Sequence, residues 1–172
     1  DREIFSLEEL AKVFDYRRIS KSPAVFDMTK LRWMNGEYFK AMAPEDFYQR
    51  AEKYLKEYVE RPLDLRKIAE MVRTRVETFL DIREMVDFFN AVPAYEAGLF
   101  VNKKSKSTRE TSRAIFADVL PRLVAVKDWN NDALFALLKT YGEEKGYKTG
   151  LVMWPLRIAL SGKLMTPAGA TE

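Results

Sequence analysis

The sequence predicts an all-α, multihelical fold in two consecutive helical subdomains, residues 1–92 and 93–172. Three observations carry that expectation. Apolar residues recur at helical spacing along most of the chain. No convincing run alternates apolar and polar residues as a half-buried strand would. The periodic segments are punctuated by cap residues, Pro and Gly where helices start and stop.

Taken in order, Ser6-Leu7-Glu8-Glu9 opens the first helix as a capping box, followed by Leu10, Val13 and Phe14. A loop with Ser20, Ser22 and Pro23 leads to a second helix, capped by Asp27 and carrying Leu31, Met34, Tyr38 and Phe39. Gly36 within it costs about 1 kcal/mol relative to Ala. Pro44, with Glu45 and Asp46 at the positive end of the helix dipole, starts a third. Its apolar stripe is Phe47, Ala51, Tyr54, Leu55 and Tyr58. Asp64 opens a long helical stretch through Ile68, Met71, Val72, Val76 and Leu80 to Phe88.

Residues 93–107 differ: Pro93, Gly98, a short apolar run and the basic stretch Lys103-Lys104-Ser105-Lys106 predict a loop or linker. A second helical set follows over 108–126, 132–146 and 150–162, with Pro121 expected to kink or divide the first member. Asn130-Asn131-Asp132 supplies caps for the middle helix, and Gly142 and Gly146 flank its end.

Composition bounds the chemistry. The 172 residues are 47% hydrophobic and 32% charged, an ordinary globular balance, and the net charge is only +3. Position of the charge therefore matters more than its sum. Cys is absent, which excludes disulfides, thiol nucleophiles and zinc ribbons. His is absent too, removing the commonest general base and metal ligand and every Ser-His or Cys-His arrangement. Glu45-Asp46 and Glu143-Glu144 read as solvated acids rather than a catalytic pair, and no apolar stretch approaches the roughly 20 residues of a membrane helix. Asp1-Arg2-Glu3 and the last residues, from Thr166 onward, read as the ends of a piece cut from a longer protein.

Arg17-Arg18-Ile19-Ser20-Lys21-Ser22 resembles the KMSKS signature with which class I synthetases hold ATP phosphates. That site also needs a nucleotide-binding sheet and a His-containing partner motif, so the string is read as a basic loop between helices. The longer run Ser20-Lys21-Ser22-Pro23-Ala24-Val25-Phe26-Asp27, with Lys30-Leu31 and Trp33-Met34-Asn35-Gly36-Glu37-Tyr38, is similar to the stretch beyond that loop in glutamyl-tRNA synthetases. A second block, Lys148 to Gly162 with Trp154-Pro155-Leu156-Arg157, resembles the same family's Pro-Leu-Arg-x-Ala-Leu-(Thr/Ser)-Gly segment. Here Gly150 and Gly162 bracket a short helix, Pro155 sits near its start, and Leu156, Ala159 and Leu160 form its buried face. Between the two, Leu65 to Thr78 resembles the family helix that carries an Arg to the anticodon, and the matching residue is Arg75.

The resemblance covers essentially the whole chain. It implies the C-terminal, anticodon-binding region of a glutamyl-tRNA synthetase without its catalytic domain, truncated at its own C-terminus. Residues 1–92 would contact the tRNA stem and residues 93–172 the anticodon. The implied anticodon-binding residues are Arg75, Trp154, Arg157 and Gly169, with Trp154 in place of a family Gln and Gly169 in place of a Leu. Implied tRNA-backbone contacts are Lys21, Lys30, Arg32, Lys103, Lys104 and Lys106. Trp can stack on an unstacked base but cannot make an amide's bidentate pairing. The implied partner is tRNA-Glu, with tRNA-Gln left open, and the implied setting is a monomeric, cytoplasmic parent. No catalysis, cofactor or metal is expected of this chain; ATP and Mg²⁺ belong to the parent's catalytic domain. Without the resemblance, a lone helical Arg is most often a solvated charge and a Trp beside Pro is often core. A different class, a helical protein-interaction module, would present Phe88, Phe89 and Phe100 instead.

Overall fold

Side-chain caps set where most of the helices begin. In the computed structural model, which describes residues 2–23 and 25–172, α1 (Leu7–Val13) starts on the expected capping box. Glu9 N–H donates to Ser6 Oγ at 3.1 Å and Ser6 N–H to Glu9 Oε2 at 2.8 Å. α2 (Met28–Ala41) starts at Asp27, whose carboxylate accepts from Lys30 N–H at 3.0 Å. α3 (Pro44–Tyr58) has Pro in its first turn, and α4 (Leu65–Arg73) is capped by Asp64. Asp1, and Ala24 of the Ser20–Asp27 string, lie outside the described residues.

The first core forms where α3 and α4 pack as a pair and Phe39 of α2 joins them. Phe47, Ala51 and Leu55 from α3 meet Ile68, Ala69 and Val72 from α4, joined by Phe39, Val76, Ile82 and Val86. Phe39, Phe47 and Phe79 bring their rings within 4.7–5.6 Å of one another. α2 comes close to the turn after α4: a Cβ on Gly36 would lie 3.4 Å from Glu77 Cγ and 3.6 Å from Val76 O. The core begins at α2, since the described residues before it include none that is buried; Leu10, Val13 and Phe14 of the expected first stripe are all exposed.

The helix expected from Asp64 to Phe88 is broken. α4 ends at Arg73, and Arg75 N–H turns back to Val72 O at 2.8 Å. Asp81 then accepts from Glu77 N–H at 3.1 Å and Thr78 N–H at 2.7 Å, starting the chain afresh. A 3₁₀ turn (Phe79–Asp81), α5 (Ile82–Val86) and a second 3₁₀ turn (Asp87–Phe89) follow. The Val72, Val76 and Leu80 spacing continues helical periodicity across this break, which is why the apolar pattern does not reveal it.

The second core is built by α6 (Arg109–Val124), α7 (Asn131–Lys145) and α8 (Thr149–Ser161) around Ile115, Val119, Leu138, Tyr141, Val152 and Leu156. Asn130 caps α7 through Ala133 N–H at 2.9 Å, and Gly146 and Gly162 end α7 and α8 with left-handed φ of 67° and 66°. Pro121 does not divide α6. It lies near the helix end with both it and Ala117 exposed, so solvent can satisfy the carbonyl left without a donor. Pro155 likewise lies inside α8 rather than at its start, because the helix begins at Thr149 and takes in Gly150. The buried face of α8 is Val152, Pro155, Leu156, Ile158 and Ser161, while Leu160 is 56% exposed.

Residues 93–107 are folded onto the second set. They hold a 3₁₀ turn (Ala97–Phe100) and a tight loop closed by backbone bonds between Asn102 and Ser107. Phe100 packs edge-on to Phe116 at 5.9 Å. Lys163 joins the two sets, pairing with Asp87 and donating to Glu84 O. The all-α class holds: apart from the Asn102–Ser107 bridge, the described residues contain no β pairing.

Candidate functional site

Two hollows and a shallow groove run into one another where the helical sets meet. The first, about 400 Å³, lies between the end of α4 (Lys67, Glu70, Thr74, Arg75), Asn131 at the start of α7, and Pro167, Ala168 and Glu172 of the last segment. The second, about 320 Å³, shares Met71, Pro167, Ala168 and Glu172 with it and adds Arg61, Phe88, Phe89, Arg157, Leu160 and Gly169. The third, about 360 Å³, shares Arg157 and adds Asn102, Lys104, Ser105, Met153 and Trp154. Arg75, distant in sequence, is thus placed in a hollow that adjoins those lined by Gly169, Arg157 and Trp154.

Each is held differently. Arg75 sits in the turn just after α4, not on a helix, with its backbone bonded to Val72 O and its side chain exposed. Arg157 is half-buried on α8 and faces both the second and third hollows. Ion pairs occupy Arg32, Arg66, Arg122 and Lys163; among the described residues neither Arg75 nor Arg157 has one. Trp154 is half-buried and fixed, its indole N–H donating to Leu99 O at 2.9 Å. That leaves its ring, not its N–H, for a ligand. Gly169 N–H donates to the Glu172 carboxylate, which occupies the space a side chain at 169 would need.

The expected backbone-contact cations divide. Lys21, Lys103, Lys104 and Lys106 are exposed, the last three in the Asn102–Ser107 loop, where Lys106 has a left-handed φ of 60°. Lys30 pairs with Glu3 at 2.6 Å in an exposed contact. Arg32 is committed internally, donating to Glu77 at 3.0 Å and to both Asp81 oxygens at 2.9 and 3.0 Å. Arg32 therefore fastens α2 to the turn that displays Arg75 and, unlike the exposed lysines, is already held by two carboxylates. The Asp81 carboxyl is lowered: burial raises it, but the Arg32 guanidinium and the N–H groups of Thr78 and Glu77 outweigh that.

Three features escaped the sequence. Arg73 caps the carbonyl end of α2, donating from Nη1 to Phe39 O at 3.3 Å, Met42 O at 3.0 Å and Lys40 O. Arg61, lining the second hollow beside Arg157, donates to Phe89 O at 3.2 Å. Phe88 and Phe89 are half-buried and lie against each other at 4.3 Å, so the aromatics of the interaction-module reading are partly internal. None of the three left a local signal, whereas the turn before Arg61's partner Phe89 did, in the Thr78-x-x-Asp81 cap pattern.

Among the described residues no group of His, Cys, Asp or Glu could hold a metal ion, and no helix is long and apolar enough to cross a membrane. What the surface offers is guanidinium and ammonium donors beside apolar walls, a combination suited to phosphates and flat rings.

Comparison with known proteins points the same way. The glutamate–tRNA ligase of Lachnoclostridium phytofermentans is 48% identical over 172 residues, which is 100% of this chain and 35% of that protein. The glutamate–tRNA ligase of Clostridium acetobutylicum is 46% identical over 171 residues, 99% of this chain and 35% of that protein. A crystal structure of a glutamate tRNA ligase from Elizabethkingia meningosepticum, in complex with its amino acid, superposes with a TM-score of 0.75 at 28% identity. That match covers 96% of this chain and 33% of the other. The glutamate-tRNA synthetase of Elizabethkingia anophelis gives 0.72 at 26% identity, covering 96% and 32%. The chain thus spans about a third of the length of the relatives it matches. A family model described as the anticodon binding domain matches residues 46–172, and the chain belongs to that family.

Proposed function

We propose that this chain binds transfer RNA and reads its anticodon as part of a glutamate–tRNA ligase, and catalyses no reaction by itself. The observation that carries the reading is the pair Arg75 and Arg157, arginines from different helical sets that line two adjoining hollows and, among the described residues, form no ion pair. A guanidinium presents five donors in a rigid fork, matched to a base edge or a phosphate. Free of an ion pair, such a fork is available to a ligand. Single-stranded RNA loops can be read in this way because their bases can be splayed out with free edges. Trp154, held by Leu99, supplies a ring on which a base can stack. Gly169 lines the same hollow as Arg157, beside the Glu172 carboxylate that its N–H holds.

In this reading residues 1–92 lie toward the tRNA stem and residues 93–172 toward the anticodon, with Arg75 reaching across from the first set. Lys21, Lys103, Lys104 and Lys106 contact phosphates, giving affinity that falls with salt. Lys30 and Arg32 can reach a phosphate only by exchanging their contacts with Glu3 and with Glu77 and Asp81. The partner is tRNA-Glu, with tRNA-Gln decided by the same surface. The parent is proposed to be monomeric and cytoplasmic. Neither ATP nor metal is needed for the binding step.

The test is titration of labelled tRNA-Glu transcript into the 172-residue chain across a salt series, beside the Arg75→Ala/Arg157→Ala variant and a tRNA with an exchanged anticodon. Selective binding weakened by both changes is expected. Equal binding of every tRNA, unchanged in the variant, would refute the assignment of these arginines.

A further inference from the structure

Positive charge is concentrated in one short stretch. Residues 103–113 contain Lys103, Lys104, Lys106, Arg109 and Arg113 against the single acid Glu110, a local net of +4 (five minus one) compared with +3 for all 172 residues. The lysines belong to the loop closed at Asn102 and Ser107; the arginines lie one helical turn apart at the start of α6 and so share a face. With Phe100 and Phe116 they line a separate hollow of about 260 Å³. The loop links this hollow along the chain to the groove of Arg157 and Trp154, which Lys104 lines.

Arg109 stands at the wrong end of its helix for stability. The first turn of α6 carries the positive end of the helix dipole, which favours acids there and disfavours a cation. Thr108 caps only Thr111 N–H, at 3.2 Å, so the outward N–H groups of the first turn add to the positive field. Among the described residues neither Arg109 nor Arg113 forms a salt bridge. Glu110 in the same turn offsets their charge only in part, its carboxyl being held low chiefly by its own backbone N–H and by Thr108, with the two guanidinium groups adding to the effect. Cations clustered against their own helix dipole create a local potential that attracts a polyanion.

We infer that residues 103–113 form a phosphate track, with Arg109 and Arg113 at its far end, for the RNA strand that runs on from the groove of Arg157 and Trp154. The inference rests on the RNA-binding reading above. The loop lysines supply mobile point charges, the α6 arginines grip non-bridging phosphate oxygens, and the apolar floor of Phe100 and Phe116 receives the sugar face. Such a track contributes affinity and register but no sequence preference.

The test uses the 172-residue chain with an anticodon stem-loop of tRNA-Glu, the same stem-loop with an exchanged anticodon, and anionic phosphatidylserine vesicles. Arg109→Gln/Arg113→Gln should weaken both stem-loops by the same factor, roughly 10-fold or more at low salt, and flatten the log–log salt dependence by about 2. Arg109→Glu should raise Tm while lowering RNA affinity, because it relieves the dipole conflict and removes a phosphate contact. A fall in both would make Arg109 a structural residue and overturn the proposal. Unchanged affinity and slope in the Gln pair would also overturn it, while loss of selectivity in Arg75→Ala/Arg157→Ala would leave the anticodon reading standing. Conversely, stem-loop binding that ignores the anticodon but depends on Arg109 and Arg113 would keep the track and remove the anticodon reading. Failure of the chain to bind either stem-loop, or binding to vesicles in their place, would overturn the track.

Discussion

Arg73 and Arg75 are two residues apart, and the molecule uses them in opposite ways. Arg73, in the last turn of α4, closes the carbonyl end of α2 by donating to Phe39, Lys40 and Met42. Arg75, in the turn that follows, points away from the core and has no such partner among the described residues. The same contrast separates Arg32, bound to Glu77 and Asp81, from Arg157, which faces two hollows and, among the described residues, forms no ion pair although Glu172 lines one of them. An arginine is structural or available according to what the fold places within its reach. That depends on a turn that only the tertiary structure reveals.

The comparison yields a graded set of outcomes. The largest stability effect is expected at Arg73. Arg73→Met leaves several carbonyls at the end of α2 without their charged donor and should lower unfolding free energy by about 2–3 kcal/mol, read by urea denaturation with tRNA selectivity retained in the folded fraction. Gly162→Ala comes next. A left-handed φ of 66° and a Cβ placed 2.8 Å from Tyr95 Cδ1 predict a loss of about 1–2 kcal/mol, measurable in the same way.

A smaller effect, of about 1 kcal/mol, is expected from Asp81→Asn, with a pH signature. Because the folded Asp81 carboxyl is held low, the unfolded chain takes up its proton first as pH falls. Its stabilisation is therefore complete above the ordinary carboxylate range near 4 and is lost as pH drops through the folded value. Wild type should exceed Asp81→Asn in stability at pH 7, with the gap closing below about pH 4; a constant gap would show that the carboxylate charge is not what holds the turn. The smallest stability change is expected for Arg75→Ala and Arg157→Ala, within about 0.5 kcal/mol of wild type, although these variants should show the greatest loss of anticodon selectivity. If both unfold the chain as Arg73→Met does, the division into structural and available arginines fails.

Much of the fold was legible because its signals are local. Ser6, Asp27, Asp64, Asn130, Gly146 and Gly162 act as the caps their positions suggest, and the stripe Phe47, Ala51 and Leu55 is buried as its spacing requires. The break after Arg73 was not legible, since apolar residues spaced four apart run across it while Asp81 ends the helix by accepting backbone N–H groups. Leu10, Val13 and Phe14 show the converse: they have helical spacing but no partner surface here. The candidate site was legible only as residue types. That Arg75, Arg157, Trp154 and Gly169 line adjoining hollows follows from how the last segment, from Thr166 to Glu172, lies between the two sets, and no local pattern encodes that.

The most direct test of the central claim is a double-mutant cycle between Arg157 and the anticodon. Arg157→Ala is combined with single-base exchanges at each anticodon position in tRNA-Glu, and binding free energies are measured at fixed salt. A coupling of about 1–3 kcal/mol confined to one or two positions is the predicted result. Additive effects at all positions would mean that Arg157 contacts the backbone or nothing at all, contradicting its role as a reader of bases.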